Sequence, residues 1–319
     1  MKKYTLLFLL VPMFAAAQEN GIHFQHNTSW GAVRAKAKAE HKLIFMDCYT
    51  TWCGPCRYMS ANIFPLEEVG KFMNEKFISV KVQLDTTAAD NEEVKSWYKV
   101  GHDIASQYHI QAYPTYLFFD ADGNAVHRAI GAGPAEDFIA KAKDALNPES
   151  QYYTLLNQYN RGQKDSAFLL KAATASMHAY DMETAKKLAE EYLATQNNLY
   201  TKTNLDFIIN FTERSADKGF AMMLNNAAKV NEVLGKGMAE NITMKIIMRE
   251  EVFSYFSDDP SQPPDWNNIS SAIEKKYPAQ SPEILAKSKV IWYQYAKDWD
   301  NYQRSIIEFM GKYGDNVMP

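Results

Sequence analysis

The chain has 319 residues, 46% of them hydrophobic and 23% charged, with 17 Phe, 19 Tyr and 6 Trp. That composition excludes a disordered chain and leaves apolar mass for two domains. Three cysteines at this length are too few for a disulfide scaffold, so the core must hold by ordinary packing and the cysteines are expected to serve chemistry.

Met1-Lys2-Lys3, the apolar run from Leu6 to Phe14 and Ala15-Ala16-Ala17 form the basic, apolar and small-residue regions of a secretory signal peptide, with cleavage expected between Ala17 and Gln18. A membrane anchor is the alternative, but a span needs about 20 apolar residues, and Gln18-Glu19-Asn20 follows directly. No lipobox cysteine follows the run, and no later stretch is apolar enough to span. The expectation is a protein exported after cleavage, soluble and periplasmic. Loss of Lys2 and Lys3 takes the basic count from 34 to 32 against 38 acids, a net charge of −6, which argues against nucleic acid as a partner.

Ser29 to Lys42 reads as a helix, capped by Thr28 or Ser29, with Trp30, Val33 and Ala37 at helical spacing. Leu43 to Tyr49 is a nearly continuous apolar run of strand length, as in a strand covered on both faces, with one acid, Asp47, inside it. Cys53 to Phe64 reads as a helix, and Pro65 opens a second one reaching Glu75. Phe77 to Leu84 alternates as a strand. Asn91 to Tyr108 is polar and helical, with a break at Gly101. Thr115 to Phe119 and Ala125 to Ile130 flank Asp120-Ala121-Asp122-Gly123-Asn124, a hairpin signature. Pro134 to Leu146 returns to helical spacing. Strands interleaved with helices and closed by a hairpin and a helix give an α/β domain.

Asn147-Pro148-Glu149-Ser150 interrupts the pattern and marks the expected boundary, giving 1–17 as signal peptide, 18–147 as the α/β domain and 151–319 as an all-α domain of unknown role. Ala167 to Ala172 and Ala185 to Leu193 form a helix pair around Tyr180-Asp181-Met182. The pair has the look of a helical-hairpin repeat, although no fixed period continues. The aromatic end, Trp292-Tyr293-Gln294-Tyr295 with Trp299 and Tyr302, reads as core and rim packing.

Cys53 and Cys56, two residues apart in Trp52-Cys53-Gly54-Pro55-Cys56, place their sulfurs close enough on a first helical turn to close a small disulfide ring. At the helix N-terminus, unpaired N–H groups and the helix dipole favour a Cys53 thiolate, below the free thiol's pKa of about 8.5. Cys53 is the candidate nucleophile, and Cys56, one turn in and expected to be the more buried, the resolving thiol. Gly54 admits a partner, and Pro55 sits early enough to cost no hydrogen bond. The competing use of Cys-x-x-Cys is half of a zinc site, but Cys48 is the sole further cysteine and no spaced histidine pair lies nearby. No metal or organic cofactor is implied, and Cys48 reads as a small core residue.

The sequence resembles the thioredoxin family. Trp52-Cys53-Gly54-Pro55-Cys56 follows a hydrophobic strand carrying Asp47, and Tyr113-Pro114-Thr115 precedes a later strand, all in the family's order over Ser29 to Leu146. The resemblance implies a thioredoxin-like fold, a mixed sheet flanked by helices, followed here by the all-α domain. It also implies that Asp47 lies beneath the resolving cysteine as its proton acceptor and that Pro114 is cis and faces the disulfide. An acid in an apolar strand has a raised pKa and can take a thiol's proton near neutral pH. Trp52, Gly54, Pro55, Tyr113 and Thr115 are then the candidate substrate contacts. Plainer roles stand beside these: Asp47 as a structural partner of Lys81 on the neighbouring strand, Pro114 as an ordinary trans turn proline, and Trp52 as a packing aromatic.

Two departures from the family stand out. The proline that kinks the active-site helix after the second cysteine is absent, since Arg57-Tyr58-Met59-Ser60-Ala61 runs on to Pro65, and the Asn62-Ile63-Phe64-Pro65 ending with a second short helix looks more like the thioredoxin-like domains of periplasmic disulfide reductants than like cytoplasmic thioredoxin. The polar insertion Thr86 to His102 lengthens the connection before Pro114 and is the expected seat of specificity. Gly54-Pro55 is the thioredoxin combination, associated with a potential near about −270 mV. The expected activity is thiol-disulfide exchange with disulfides of exported proteins, in the reducing or isomerising direction, fed by a membrane-linked thiol donor. The alternative is a client-binding, chaperone-like protein whose helical half offers the binding surface.

Overall fold

The apolar run becomes β1 (Leu43–Tyr49), an interior strand of a four-stranded sheet in a computed structural model that describes residues 20–314. The expected signal peptide lies outside the described residues. β1 pairs in parallel with β2 (Phe77–Gln83) and antiparallel with β3 (Thr115–Phe119), which pairs antiparallel with β4 (Ala125–Ile130), giving the order β2-β1-β3-β4. In the expected hairpin, Gly123 takes a φ of +88°, and the Asp120 carboxylate accepts the N–H groups of Asp122 and Asn124.

Helices α1 (Trp30–Glu40), α2 (Gly54–Tyr58), α3 (Glu67–Lys76), α4 (Glu92–Ser96), α5 (Tyr98–Gln107) and α6 (Ala135–Asp144) flank the sheet. Side chains alternate across β1. Phe45 joins Met59, Phe64, Met73 and Phe138 in one core cluster, with the α2, α3 and α6 side. Ile44, Met46 and Cys48 join Val33, Ala37, Trp97 and Ile104 in the other, with α1 and α5. By the same alternation Asp47 and Tyr49 point to the α2 side and Cys48 to the opposite one.

Local structure departs from expectation in two places. The helix expected to run from Cys53 to Phe64 is α-helical only over α2; Met59–Ile63 is a π-helical turn, closed by the Phe64 N–H on the Met59 carbonyl at 2.9 Å. The wider turn re-aims the side chains it carries. The helix after it starts at Glu67, with Leu66 rather than Pro65 at its cap. The segment Asn91 to Tyr108 breaks at Trp97, whose buried indole donates to the Thr28 carbonyl at 3.0 Å, and not at Gly101. Gly101 lies inside α5, where a Cβ would stand 3.1 Å from Leu84 Cδ2 and 3.2 Å from Val82 Cγ1, so it marks a close approach of helix to sheet.

Asn147–Ser150 forms turns after α6. The chain divides into two compact units between Tyr192 and Leu193, so the first includes α7 (Tyr152–Asn160), α8 (Ser166–His178) and most of α9 (Met182–Ala194). Polar contacts tie these helices to β4. His127 Nδ1 accepts the Tyr152 N–H at 3.1 Å, and Arg128 donates to the Ala179 carbonyl at 2.8 Å and the Tyr108 carbonyl at 3.0 Å. The Tyr152 hydroxyl donates to Asp181 at 2.5 Å.

The second unit contains α10 (Lys202–Asn210), α11 (Lys218–Asn225), α12 (Ala227–Leu234), α13 (Met238–Glu251), α14 (Trp266–Lys276), α15 (Ser281–Tyr295) and α16 (Trp299–Tyr313). Its cores gather around Ile247, Ile269 and Ile284 and around Leu205, Met223 and Val230. Trp292 is buried there, whereas Tyr295 and Trp299 are exposed. No helix among the described residues is long and apolar enough to cross a membrane.

Candidate active site

Cys53 and Cys56 are joined in a disulfide with Cα atoms 5.3 Å apart. Cys53 is the N-cap of α2, and its sulfur accepts the Cys56 N–H at 3.0 Å, a bond that favours negative charge on Cys53 when the pair is reduced. Pro55 in the first turn gives up only an N–H that has no helical partner. Both cysteines are 3% exposed, so the expected difference in burial is absent in the disulfide form. Exposed Trp52, Gly54 and Pro55 surround them, and a Cβ on Gly54 would meet nothing within 4 Å, so the backbone beside Cys53 lies open to a partner.

Beneath the α2 side of the sheet, Asp47 is 1% exposed, and Lys81, its register partner on β2, places Nζ 3.3 Å from Oδ2. Asp47 Oδ1 has no hydrogen-bond partner. Burial pushes the Asp47 carboxyl above the ordinary range, while the charge and hydrogen bond of Lys81 oppose that rise. The acid is therefore paired with Lys81 through one oxygen and unpartnered at the other. The Lys81 ammonium lies over the rings of Phe24, Tyr49 and Phe64 at 5.0 to 5.3 Å and donates to Ser60 Oγ at 2.5 Å. A cleft of about 330 Å³, lined by Tyr49, Cys56, Arg57 and Ser60 among others, opens beside it.

The Tyr113–Pro114 peptide bond is cis, and Tyr113 packs edge-to-face on Trp52, ring centroids 5.6 Å apart, which sets this turn beside the disulfide loop. Trp52 remains 67% exposed, more than a packing aromatic would be. Thr115 has a fully buried side chain whose hydroxyl donates to the Ala112 carbonyl at 2.7 Å, so the side chain braces the turn. Cys48 is buried on the other face of β1, and burial, reinforced by the Asp47 charge, raises its thiol pKa well above the free value.

Asp85 and Ser60 escaped the sequence reading. Asp85 accepts the Thr51 N–H at 3.0 Å and the Thr51 hydroxyl, anchoring the loop before Trp52 to the start of the polar insertion. Within the insertion Asp90 accepts from Thr87, Gln83 and Tyr98, which hold its carboxyl far below the usual range. Asp85 follows a strand end and could have been flagged by position. Ser60 carries no signal of its own, because only the π-helical turn aims it at Lys81.

A family model described as thioredoxin-like domain matches residues 31–146. Thioredoxin H-type from Oryza sativa subsp. indica is 32% identical over 118 residues, 37% of this chain and 81% of that protein. The chain belongs to the thioredoxin family. Thioredoxin Y, chloroplastic, from Oryza sativa subsp. japonica is 36% identical over 105 residues, 33% of this chain and 52% of that protein. The chain spans about half the length of the first curated relatives it matches. A solution structure from Bacteroides thetaiotaomicron, assigned provisionally as a disulphide-isomerase, is 32% identical with a TM-score of 0.34 and covers 41% of this thioredoxin-family chain and 98% of its own.

Proposed function

We propose that this thioredoxin-family protein exchanges disulfides with exported proteins, in the reducing or isomerising direction. The observation that carries the reading is the Cys53–Cys56 disulfide at the start of α2, supported by the partly balanced pair of buried Asp47 on β1 and Lys81 on β2. In the reduced protein the Cys53 thiolate attacks one sulfur of a client disulfide, forming a mixed disulfide and expelling the other client sulfur as a thiolate. Cys56 gives its thiol proton to Asp47, and the resulting thiolate attacks Cys53. The ring closes and the second client thiol leaves. The client gains two electrons and the Cys53–Cys56 pair loses them, so a thiol donor must reduce the pair again. In an oxidising compartment that donor is a membrane-linked one. Trp52 and Tyr113 give the client an aromatic edge to lie against, Gly54 and Pro55 an open approach, and Pro114 the turn that presents Tyr113.

Insulin reduction by the full chain, driven by dithiothreitol, tests the exchange, and equilibration with glutathione measures its direction. A potential near about −270 mV supports a reductant, whereas one above about −150 mV would place the protein among oxidases. The exposed Phe253, Tyr295, Trp299 and Ile307 of the second unit favour the second reading, client binding by the helical part. A chain that holds unfolded protein but leaves insulin disulfides intact, with a reducible pair, selects that reading.

A further inference from the structure

The mechanism above leaves one partly buried contact unused, the Ser60 hydroxyl on Lys81. The Lys81 ammonium is held from several sides: Asp47 Oδ2 at 3.3 Å, Ser60 Oγ at 2.5 Å, and three aromatic rings. Ser60 is the only one of these contacts that the π-helical turn Met59–Ile63 supplies from inside its span, and the same residue lines the cleft shared with Cys56. We propose that Ser60 is a positioning residue: it anchors the Lys81 ammonium against Asp47 and so sets the pH range over which Asp47 accepts the Cys56 proton.

The proposal rests on the exchange reading above. Its physical basis is geometric. A lysine side chain 26% exposed can swing towards water, and a charge-assisted hydrogen bond to Ser60, which lines the cleft, opposes that motion. The groups that feel the Asp47 charge are Lys81 on β2, Tyr49 and Cys48 on β1 and Tyr116 on β3, with Arg57 on α2 turned to the Thr51 carbonyl. Burial raises Cys48, Tyr49 and Tyr116, so these stay protonated near neutral pH. Asp47 and, after reduction, Cys56 are left to trade the proton.

The sign follows. Without the anchor Lys81 spends less time on Asp47, burial dominates, and the carboxylate form is disfavoured. In the full-length oxidised protein, the carboxyl carbon-13 signal of Asp47, assigned with Asp47→Asn, is expected to titrate about 0.5 to 1 pH unit higher in Ser60→Ala. Ser60→Thr, which keeps the hydroxyl, returns the midpoint towards wild type. On a Lys81→Met background Ser60→Ala adds no further shift. The acid limb of the insulin-reduction rate moves up with the midpoint. An unchanged midpoint in Ser60→Ala alongside a shifted one in Lys81→Met overturns the proposal, as does a shifted midpoint with an unmoved acid limb. A wild-type chain inert towards insulin overturns the exchange reading by itself, and the titration still decides whether Ser60 holds the pair.

Discussion

Asp47 and His127 are both buried titratable side chains of one sheet, and their surroundings shift them in opposite directions. Asp47 on β1 has a cation 3.3 Å away, a carboxylate oxygen without a partner, and a cleft beside the lysine that faces it. His127 on β4 is 2% exposed, lies against Phe118, and uses Nδ1 to accept the first N–H of α7. Burial, with His178 nearby, pulls its pKa down to about 4, so it is neutral at pH 7. Desolvation perturbs both groups. Asp47 keeps an unpartnered carboxylate oxygen and a lysine counter-charge, while a filled hydrogen bond makes His127 a joint between sheet and helix.

The largest effects belong to the site. Cys53→Ser is expected to abolish insulin reduction, and Cys56→Ser to accumulate a mixed disulfide with the client, visible on a non-reducing gel. Asp47→Asn should slow exchange about 100-fold at pH 7, the low end for loss of a positioned base. It should also change stability with the opposite sign. The folded pKa of Asp47 lies above the unfolded one, so the wild-type protein loses stability as pH rises from the ordinary carboxylate range through the Asp47 value, and the Asn variant lacks that fall. Unfolding midpoints in urea across pH 4 to 8 measure it. An Asn variant as active as wild type would move the base elsewhere and erase the contrast with His127.

At the joint the sign reverses. His127 has a folded pKa of about 4 against about 6.5 unfolded, so its contribution is full above 6.5 and is lost as pH falls towards 4. The wild-type protein should lose about 3 kcal/mol over that window through this residue alone. His127→Leu should remove this pH dependence, cost about 1 to 3 kcal/mol at pH 7 by leaving the Tyr152 N–H without its acceptor, and leave insulin reduction unchanged. A fall in activity larger than the fall in folded fraction would couple the joint to the site.

These contrasts also explain what the sequence disclosed. β1 was legible because a nearly continuous apolar run of seven residues has few other destinations, while the faces of Cys48 and Asp47 followed only once the strand was placed in the sheet. Cys53, Cys56 and Pro114 were legible as a motif. The π-helical turn was not, because Met59-Ser60-Ala61-Asn62-Ile63 satisfies an α-helical pattern equally well, and the wider turn depends on how Phe64 packs with Phe24, Tyr116 and Phe138. The burial of the Thr115 side chain was not legible, because sequence order places it beside Pro114 without saying on which face it lies. Gly101 misled because a glycine that breaks a helix and one that lets a helix approach a sheet look identical in sequence.

Two glycines give the smallest and sharpest test. At Gly70 in α3 a Cβ would lie 2.2 Å from the Gly21 carbonyl oxygen and 2.5 Å from its Cα, and backbone cannot rotate away. The segment before α1 must then lift. It is held by the Ile22 N–H on the Phe64 carbonyl and the Gln25 N–H on the Ser79 carbonyl, and it carries Phe24, one of the rings over Lys81. At Gly101 the obstruction is the tip of Leu84 and a methyl of Val82, and the Leu84 tip can shift. Both substitutions gain about 1 kcal/mol of helix propensity. Gly70→Ala is expected to lose about 1 to 3 kcal/mol by overpacking and to alter the pH profile of exchange as Phe24 leaves Lys81, while Gly101→Ala stays within about 1 kcal/mol of wild type with an unchanged profile. Urea unfolding and the insulin profile decide. Equal stability losses would mean that the segment does not rest on α3, and an unchanged profile in Gly70→Ala would show that Ser60 and Asp47 hold Lys81 without the Phe24 ring.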